Sequence, residues 1–222
     1  MPSATSDAST LVQPLFAKPL RPLRQQSVPG EQEGCNPLKP IIFIEFFAGD
    51  ARLTEAFRAV GIRCRAPDDL VTGGTDFEIA SQVRKVREEL RALRTDDLCL
   101  AIHLAPPCST FSRARDRSKA TCLRSSSQPE GLSSLSPSQK IDVERANRIA
   151  RHAWELAEWA SKELRAVVCL ENPRMSYIWD YYATISSSST QRWKDVLLSQ
   201  CQFGTTYRKD FGWFQRPLFD IV

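Results

Sequence analysis

The chain has little of what several common protein classes require. Only two of its 222 residues are histidine, His103 and His152. A cysteine hydrolase needs a histidine beside its nucleophile. Here His103 sits in an apolar, strand-like run, where it reads as a core residue, and His152 sits in a helical segment. No cluster with metal-ligand spacing is evident, so no metal is expected. No two of the seven cysteines share the CxxC spacing of a zinc site or dithiol motif. Their odd number, with several in apolar runs, argues against a disulfide scaffold and for a reducing, intracellular setting, nuclear or cytoplasmic. No run approaches the ~20 apolar residues of a membrane span, and the first residues carry no apolar signal-peptide core. No internal repeat is evident. The net charge of +4 permits a polyanionic partner without demanding one.

What is present is ordinary globular material, 42% hydrophobic and 25% charged. Residues 1–39 read as a disordered tail rich in Pro and Ser, with Pro14, Pro19, Pro22, Pro29 and Pro37 breaking any long helix. The basic piece Lys18–Arg24 reads as solvated linker. From Pro40 onward, strand and helix patterns alternate. Strands are predicted at Ile41–Phe47, Ile62–Ala66, Leu98–Leu104 and Arg165–Leu170, with strand-like pieces near Cys201–Phe203 and Gly212–Phe214. Helices are predicted at Arg52–Val60, Phe77–Arg94, Ser138–Leu164 and around Gln191–Leu198. An aromatic loop follows Pro173. The alternation predicts an α/β fold: a Rossmann-like, mostly parallel sheet with helices on both faces.

Four stations fall after strands or in the connecting loops, where open α/β sheets carry their chemistry. Two prolines stop the third strand and present Cys108 on a stiff loop, Ala105–Ser112. A thiol so presented suggests a nucleophile; a buried structural cysteine is the plain alternative. Gly49, between the first strand and helix, lets a ligand approach the backbone, although simple turn chemistry also explains it. The acidic pair Asp68–Asp69 follows the second strand, where a carboxylate accepts ribose hydroxyls or stays solvated. Glu171 stands at the end of the fourth strand, backed by Asn172–Pro173, and an acid there can donate or hold a proton. The segment Arg113–Pro137 is a long loop rich in Ser, Arg and Gly. Its Arg113, Arg115, Arg117, Lys119 and Arg124 suit phosphate contact or a solvated surface.

The order and chemistry of these stations resemble the cytosine-5 DNA methyltransferase family. Phe47-Ala48-Gly49 with Leu53-Thr54 looks like its S-adenosylmethionine loop. Thr75-Asp76-Phe77 is similar to the Gly-Asp-Ile segment that meets the adenine. Pro106-Pro107-Cys108 with Phe111-Ser112 looks like the Pro-Cys nucleophile loop, and Glu171-Asn172-Pro173 stands where the family has Glu-Asn-Val. Gln202–Lys209, carrying Arg208, stands for the later Gln-x-Arg-x-Arg strand. The resemblance makes residues 40–222 a methyltransferase-like catalytic domain. It implies S-adenosylmethionine as cofactor and DNA as substrate. It makes Cys108 the nucleophile, with Glu171 and Arg208 completing the catalytic set. Phe47, Ala48, Gly49, Leu53, Asp68, Asp69, Asp76 and Pro106 would meet the cofactor, and Ser112, Arg113, Arg115 and Arg117 the nucleic acid.

The chemistry suits these residue types. Carbon 5 of cytosine is a poor nucleophile until a thiolate adds at carbon 6. A protonated carboxyl then offsets the charge near nitrogen 3. Amino-methylating enzymes instead use Asn/Asp-Pro-Pro-Tyr/Phe, whereas here cysteine follows the prolines. The sequence departs from the family at Asp50-Ala51-Arg52, where more glycine is usual, and at Pro173. It also ends at Val222 with no evident target-recognition domain and without the family's C-terminal segment. A shortened enzyme, with recognition supplied by a partner, is therefore one expectation. A degenerate module that binds nucleic acid or a partner, and an RNA cytosine methyltransferase, are the others.

Overall fold

The computed structural model describes residues 39–95, 97–186, 193–199 and 210–215, all within one unit, Leu38–Val222. The expected tail, Cys201–Phe203 and Arg208 lie outside the described residues. The first strand, β1 (Ile41–Phe46), is a β-branched and aromatic run that suits a buried pleat. It ends one residue earlier than its pattern suggests, because Phe47 takes a left-handed φ of 59°. Helix α1 (Arg52–Ala59), strand β2 (Arg63–Cys64), helix α2 (Ala80–Leu93) and strand β3 (Cys99–Leu104) follow in alternation. Helix α3 (Pro137–Glu163) starts at a capping box: Ser136 Oγ accepts from Gln139 N at 3.3 Å and Gln139 Oε1 from Ser136 N at 2.9 Å. Strand β4 (Val167–Pro173) runs through Glu171 and Asn172 instead of stopping before them.

Two expectations about secondary structure fail. The aromatic loop contains a helix, α4 (Tyr177–Ile185), capped by Ser176 Oγ, which accepts from Ile178 N at 3.3 Å. Its Tyr177, Ile178, Tyr181 and Tyr182 bury together, so the aromatic residues form a helical face and not a loop surface. The helix expected around Gln191–Leu198 is instead strand β5 (Lys194–Ser199), paired antiparallel with β6 (Asp210–Gln215). A short apolar run has no decisive period, and strand pairing overrides local preference there.

The sheet order is β2-β1-β3-β4-β6-β5. The first four strands are parallel, and β6 joins β4 antiparallel, with Glu171 opposite Trp213. The chain is thus a Rossmann-like α/β domain. Alternation sorts the strands into two faces. Ile42, Ile44, Phe46, Leu100, Ile102, Leu104, Val168 and Leu170 pack with α2, α3 and α4 in the main core. A fully buried leucine or isoleucine of this kind contributes about 1.5–3 kcal/mol. The opposite face carries Phe43, Glu45, Ala101, His103, Cys169 and Glu171, and Phe43 stacks on Phe57 of α1 at 4.1 Å. Most of α1 stays exposed, including Ala56 and Val60, which the pattern puts inward. Ile141, also expected inward, is 65% exposed; burial along α3 begins only at Val143. Among the described residues no helix is long and apolar enough to cross a membrane.

Candidate functional site

The loop between β1 and α1 is bent by three left-handed residues, Phe47, Gly49 and Ala51, at φ 59°, 51° and 54°. Such backbone costs of order 1–3 kcal/mol per non-glycine residue and persists only where its surroundings impose it. Ala51 is the N-cap of α1 and has no side-chain acceptor to offer. A buried carboxylate from β1 does that work. Glu45 Oε2 accepts from Thr54 N at 2.8 Å and from Thr54 Oγ1. It also sets negative charge at a helix N-terminus, where the dipole favours it.

The second acidic station closes on the same loop. Gly49 N donates to Asp69 Oδ2 at 2.9 Å, and Ala48 N to Asp68 O at 3.3 Å. Asp68 is buried and accepts from Thr75 N at 2.7 Å and Thr75 Oγ1 at 2.8 Å. Both carboxyls thus already serve the protein's own donors, although a carboxylate offers about four acceptor positions. Gly74 is held to hydrogen here: a Cβ would lie 2.5 Å from Asp68 Oδ1 and 2.7 Å from Asp69 N. Asp76 Oδ1 turns back to Glu78 N at 2.8 Å. The neighbouring Phe77 packs on Phe47, ring centroids 4.4 Å apart. The structure therefore brings Phe47, Ala48, Gly49, Asp68 and Asp69 together, with Asp76 beside Phe77. Leu53 sits half-buried in the first turn of α1.

The cysteine loop leaves the end of β3. Pro106 is buried, Pro107 exposed and Cys108 half-buried. Asn172 Nδ2 donates to Pro106 O at 2.8 Å, which ties this loop to the end of β4. Tyr177 N donates to Phe111 O at 2.9 Å, which ties it to α4. Glu171 points to the opposite face from Asn172, and its Oε2 lies 3.1 Å from His103 Nε2. His103 is buried as the sequence suggests, yet its partner is the candidate acid. No local signal announces this, because the two residues meet only through the register of β3 with β4. Burial is the main cause that pushes the Cys169 thiol far above its ordinary range, so it stays protonated.

The arginines divide sharply. Arg124 is 1% exposed and belongs to the core of the loop, contrary to the expected phosphate contact. Its guanidinium lies 3.7 Å from the Phe111 ring centroid. It donates to Thr110 O (3.1 Å), Thr110 Oγ1 (2.9 Å), Asn147 Oδ1 (2.8 Å), Val143 O (3.4 Å) and Pro129 O. Burial pulls its pKa down to about 10, so it remains charged at neutral pH. Arg113 is a staple as well: it stacks 4.2 Å from the Tyr177 ring centroid and donates to Met175 O at 2.7 Å. Ser112 Oγ caps the short turn Arg113–Arg117 by accepting from Ala114 N at 3.3 Å. Arg115 reaches Ser109 O at 2.8 Å, and Arg117 is exposed.

A cleft of ≈ 420 Å³ opens between the segment after β2, the cysteine loop and α3. Leu70, Pro107, Thr110, Arg115, Arg145 and Ile149 are among the residues that line it. Sequence reasoning missed the α3 wall, because its residues read only as a helix face. Cys64, Cys99, Cys108, Cys122 and Cys169 are all free thiols. Among the described residues, no group of three or more His, Cys, Asp or Glu side chains gathers as a metal site requires. No protein-family model matches the chain, and no curated protein matches it.

Proposed function

We propose that this chain transfers a methyl group from S-adenosylmethionine to carbon 5 of cytosine in DNA, through a covalent adduct on Cys108. The observation that carries this reading is the 2.8 Å hydrogen bond from Asn172 to Pro106 O. It joins the loop bearing the thiol to the strand end bearing the acid, the two groups that cytosine activation needs. Two of the eight residues assigned to the donor, Asp69 and Pro106, adjoin a cleft in sequence, and none of the eight lines it. The ≈ 420 Å³ cleft lies within the range of small-molecule pockets. It is lined by Leu70, which follows Asp69, and by Pro107, which follows Pro106. Phe47, Ala48, Gly49, Leu53, Asp68, Asp69, Asp76 and Pro106 would hold S-adenosylmethionine, which supplies an electrophilic methyl group when bound.

The thiolate of Cys108 adds to carbon 6, and the displaced ring electrons move toward nitrogen 3. Glu171, as the neutral acid, donates its proton there, which leaves carbon 5 enamine-like. After the methyl group is accepted, nitrogen 3 returns its proton to Glu171, and loss of the carbon 5 proton to water expels the thiolate and restores the ring. Cleft-lining Arg115 and exposed Arg117 are basic groups near the site that suit phosphate contact. Target selection by a partner belongs to the same proposal.

The test is covalent trapping on DNA carrying 5-fluorocytosine, with S-adenosylmethionine, read by mass spectrometry. An adduct at Cys108, lost in Cys108→Ser at unchanged fold, is the expected result; methylation retained by that variant would sink the mechanism. RNA carrying 5-fluorocytosine in parallel decides the strand type. One observation favours a binding module without turnover: Asp69 Oδ2 occupies the Gly49 amide at 2.9 Å, where a ligand would approach. That reading predicts neither adduct nor donor binding in a calorimetric titration.

A further inference from the structure

His103 lies in a row of side chains that crosses the sheet on the α1 face. In register, Glu45 of β1 and Cys169 of β4 flank it. Its side chain is 6% exposed and that of Glu171 is 23% exposed, with Nε2 and Oε2 3.1 Å apart. The titratable groups that face the ring from the adjoining strands are thus Glu45, Cys169 and Glu171. Glu45 Oε2 is engaged by Thr54 of α1, and the Cys169 thiol stays protonated. Glu171 Oε2 is within hydrogen-bond distance of the imidazole Nε2.

We propose that His103 is the positioning residue of the acid. As the neutral Nε2–H tautomer it donates to Glu171 Oε2, and so it leaves the carboxyl proton on Oε1. This rests on the reading of Glu171 as the acid. In a neutral carboxyl one oxygen carries the proton and the other accepts. A fixed N–H donor at Oε2 decides which is which. The reverse tautomer would take the proton from Oε2 and aim the acid into the sheet. When Oε1–H passes its proton to nitrogen 3, the carboxylate left behind keeps its Nε2–H bond. That bond is then charge-assisted and stronger, so the contact favours the charged state of the reaction over the resting one. As the elimination restores the ring, nitrogen 3 gives the proton back to Oε1 and the balance is restored.

Because the sequence has only two histidines, long-range ¹H–¹⁵N NMR of the full chain gives two ring systems, and His152→Gln assigns them. The expected result is protonated Nε2 and bare Nδ1 at His103, with Glu171→Gln shifting the His103 signals and not those of His152. A bare Nε2, or no response to Glu171→Gln, overturns the proposal. The second arm follows Cys108 adduct formation on fluorocytosine DNA. His103→Leu should slow it about 100-fold at unchanged donor affinity. His103→Gln, which keeps an N–H donor, should recover most of that loss. Equal losses in the two variants would assign His103 a merely structural role and overturn the proposal. Absence of any adduct in the parent chain fails the methyltransferase reading and the acid role together. A normal parent adduct with the wrong tautomer fails this proposal alone.

Discussion

The loop that follows β1 is held by a buried acid, and the loop that follows β3 by a buried base. Glu45 is 5% exposed and Arg124 1%. Neither makes a direct ion pair in the contacts described above. Glu45 is solvated by the amide and hydroxyl of one residue, Thr54. Arg124 is solvated by acceptors on Thr110, Pro129, Val143 and Asn147, all of them uncharged. A buried charge survives where oriented dipoles replace water. The reach differs, and reach decides the consequence. The acid organises one helical turn; the base gathers a stretch of more than thirty residues around the cysteine loop.

The largest effect should come from the base. Arg124→Met leaves several buried carbonyls without donors, and a loss of about 3–5 kcal/mol is expected in urea unfolding. Arg124→Lys keeps the charge but not the planar fork, and should lose about half as much. A loss below about 1 kcal/mol for Arg124→Met would end the argument that this residue organises the loop.

Asn172→Ala comes next, at about 1–3 kcal/mol. Beyond that loss it should raise amide exchange in the cysteine loop while leaving α1 unaffected. Exchange rising equally at both loops would mean that the two are not separately held.

The acid should matter less. Glu45→Gln keeps an acceptor oxygen and drops the charge at the helix start, for a cost of about 0.5–2 kcal/mol. Amide exchange at Thr54 reports it, and an unprotected Thr54 amide in the parent chain would refute the cap.

An exposed ion-pair cluster marks the lower end of the scale. Glu78 is bonded to Arg148 at 2.6 Å and to Arg145 at 2.7 Å, and the Arg148 hydrogen bond is the main cause that holds its carboxyl below the ordinary value of 4.5. A depressed folded-state value means stability that is present above about pH 4.5 and is lost as the pH falls through the lower value. Glu78→Gln should flatten that part of the acid limb by less than about 1 kcal/mol. A larger change would put exposed pairs on the same footing as the buried charges.

The alternation of strand and helix was legible, because a parallel sheet buried on both faces writes its strands as continuous apolar runs such as Ile41–Phe46. The stations after those strands were legible for the same reason: Gly49, Asp68, Cys108 and Glu171 interrupt such runs with residues that a core does not want. The edge of the sheet was not. Lys194–Ser199 is too short to reveal a period, and only its partner makes it a strand. Nor was Arg124, which precedes three serines in a polar loop and whose burial depends on acceptors up to 23 residues away. His103 and Glu171 are separated by 68 residues and meet through β-sheet register alone, which composition does not carry.

The pairing of β6 with β4 has a consequence for the birth of the chain. Strand β4 carries Glu171, and until residues 210–215 have been synthesised its outer side has no β6 to pair with. About 40 residues separate the two strands, which at roughly 5–20 residues per second leaves an interval of some seconds on the ribosome. Throughout it the acid-bearing strand is an open edge, able to recruit a wrong strand from a neighbouring nascent chain. Folding yield in the cell should therefore depend on translation speed across that short interval.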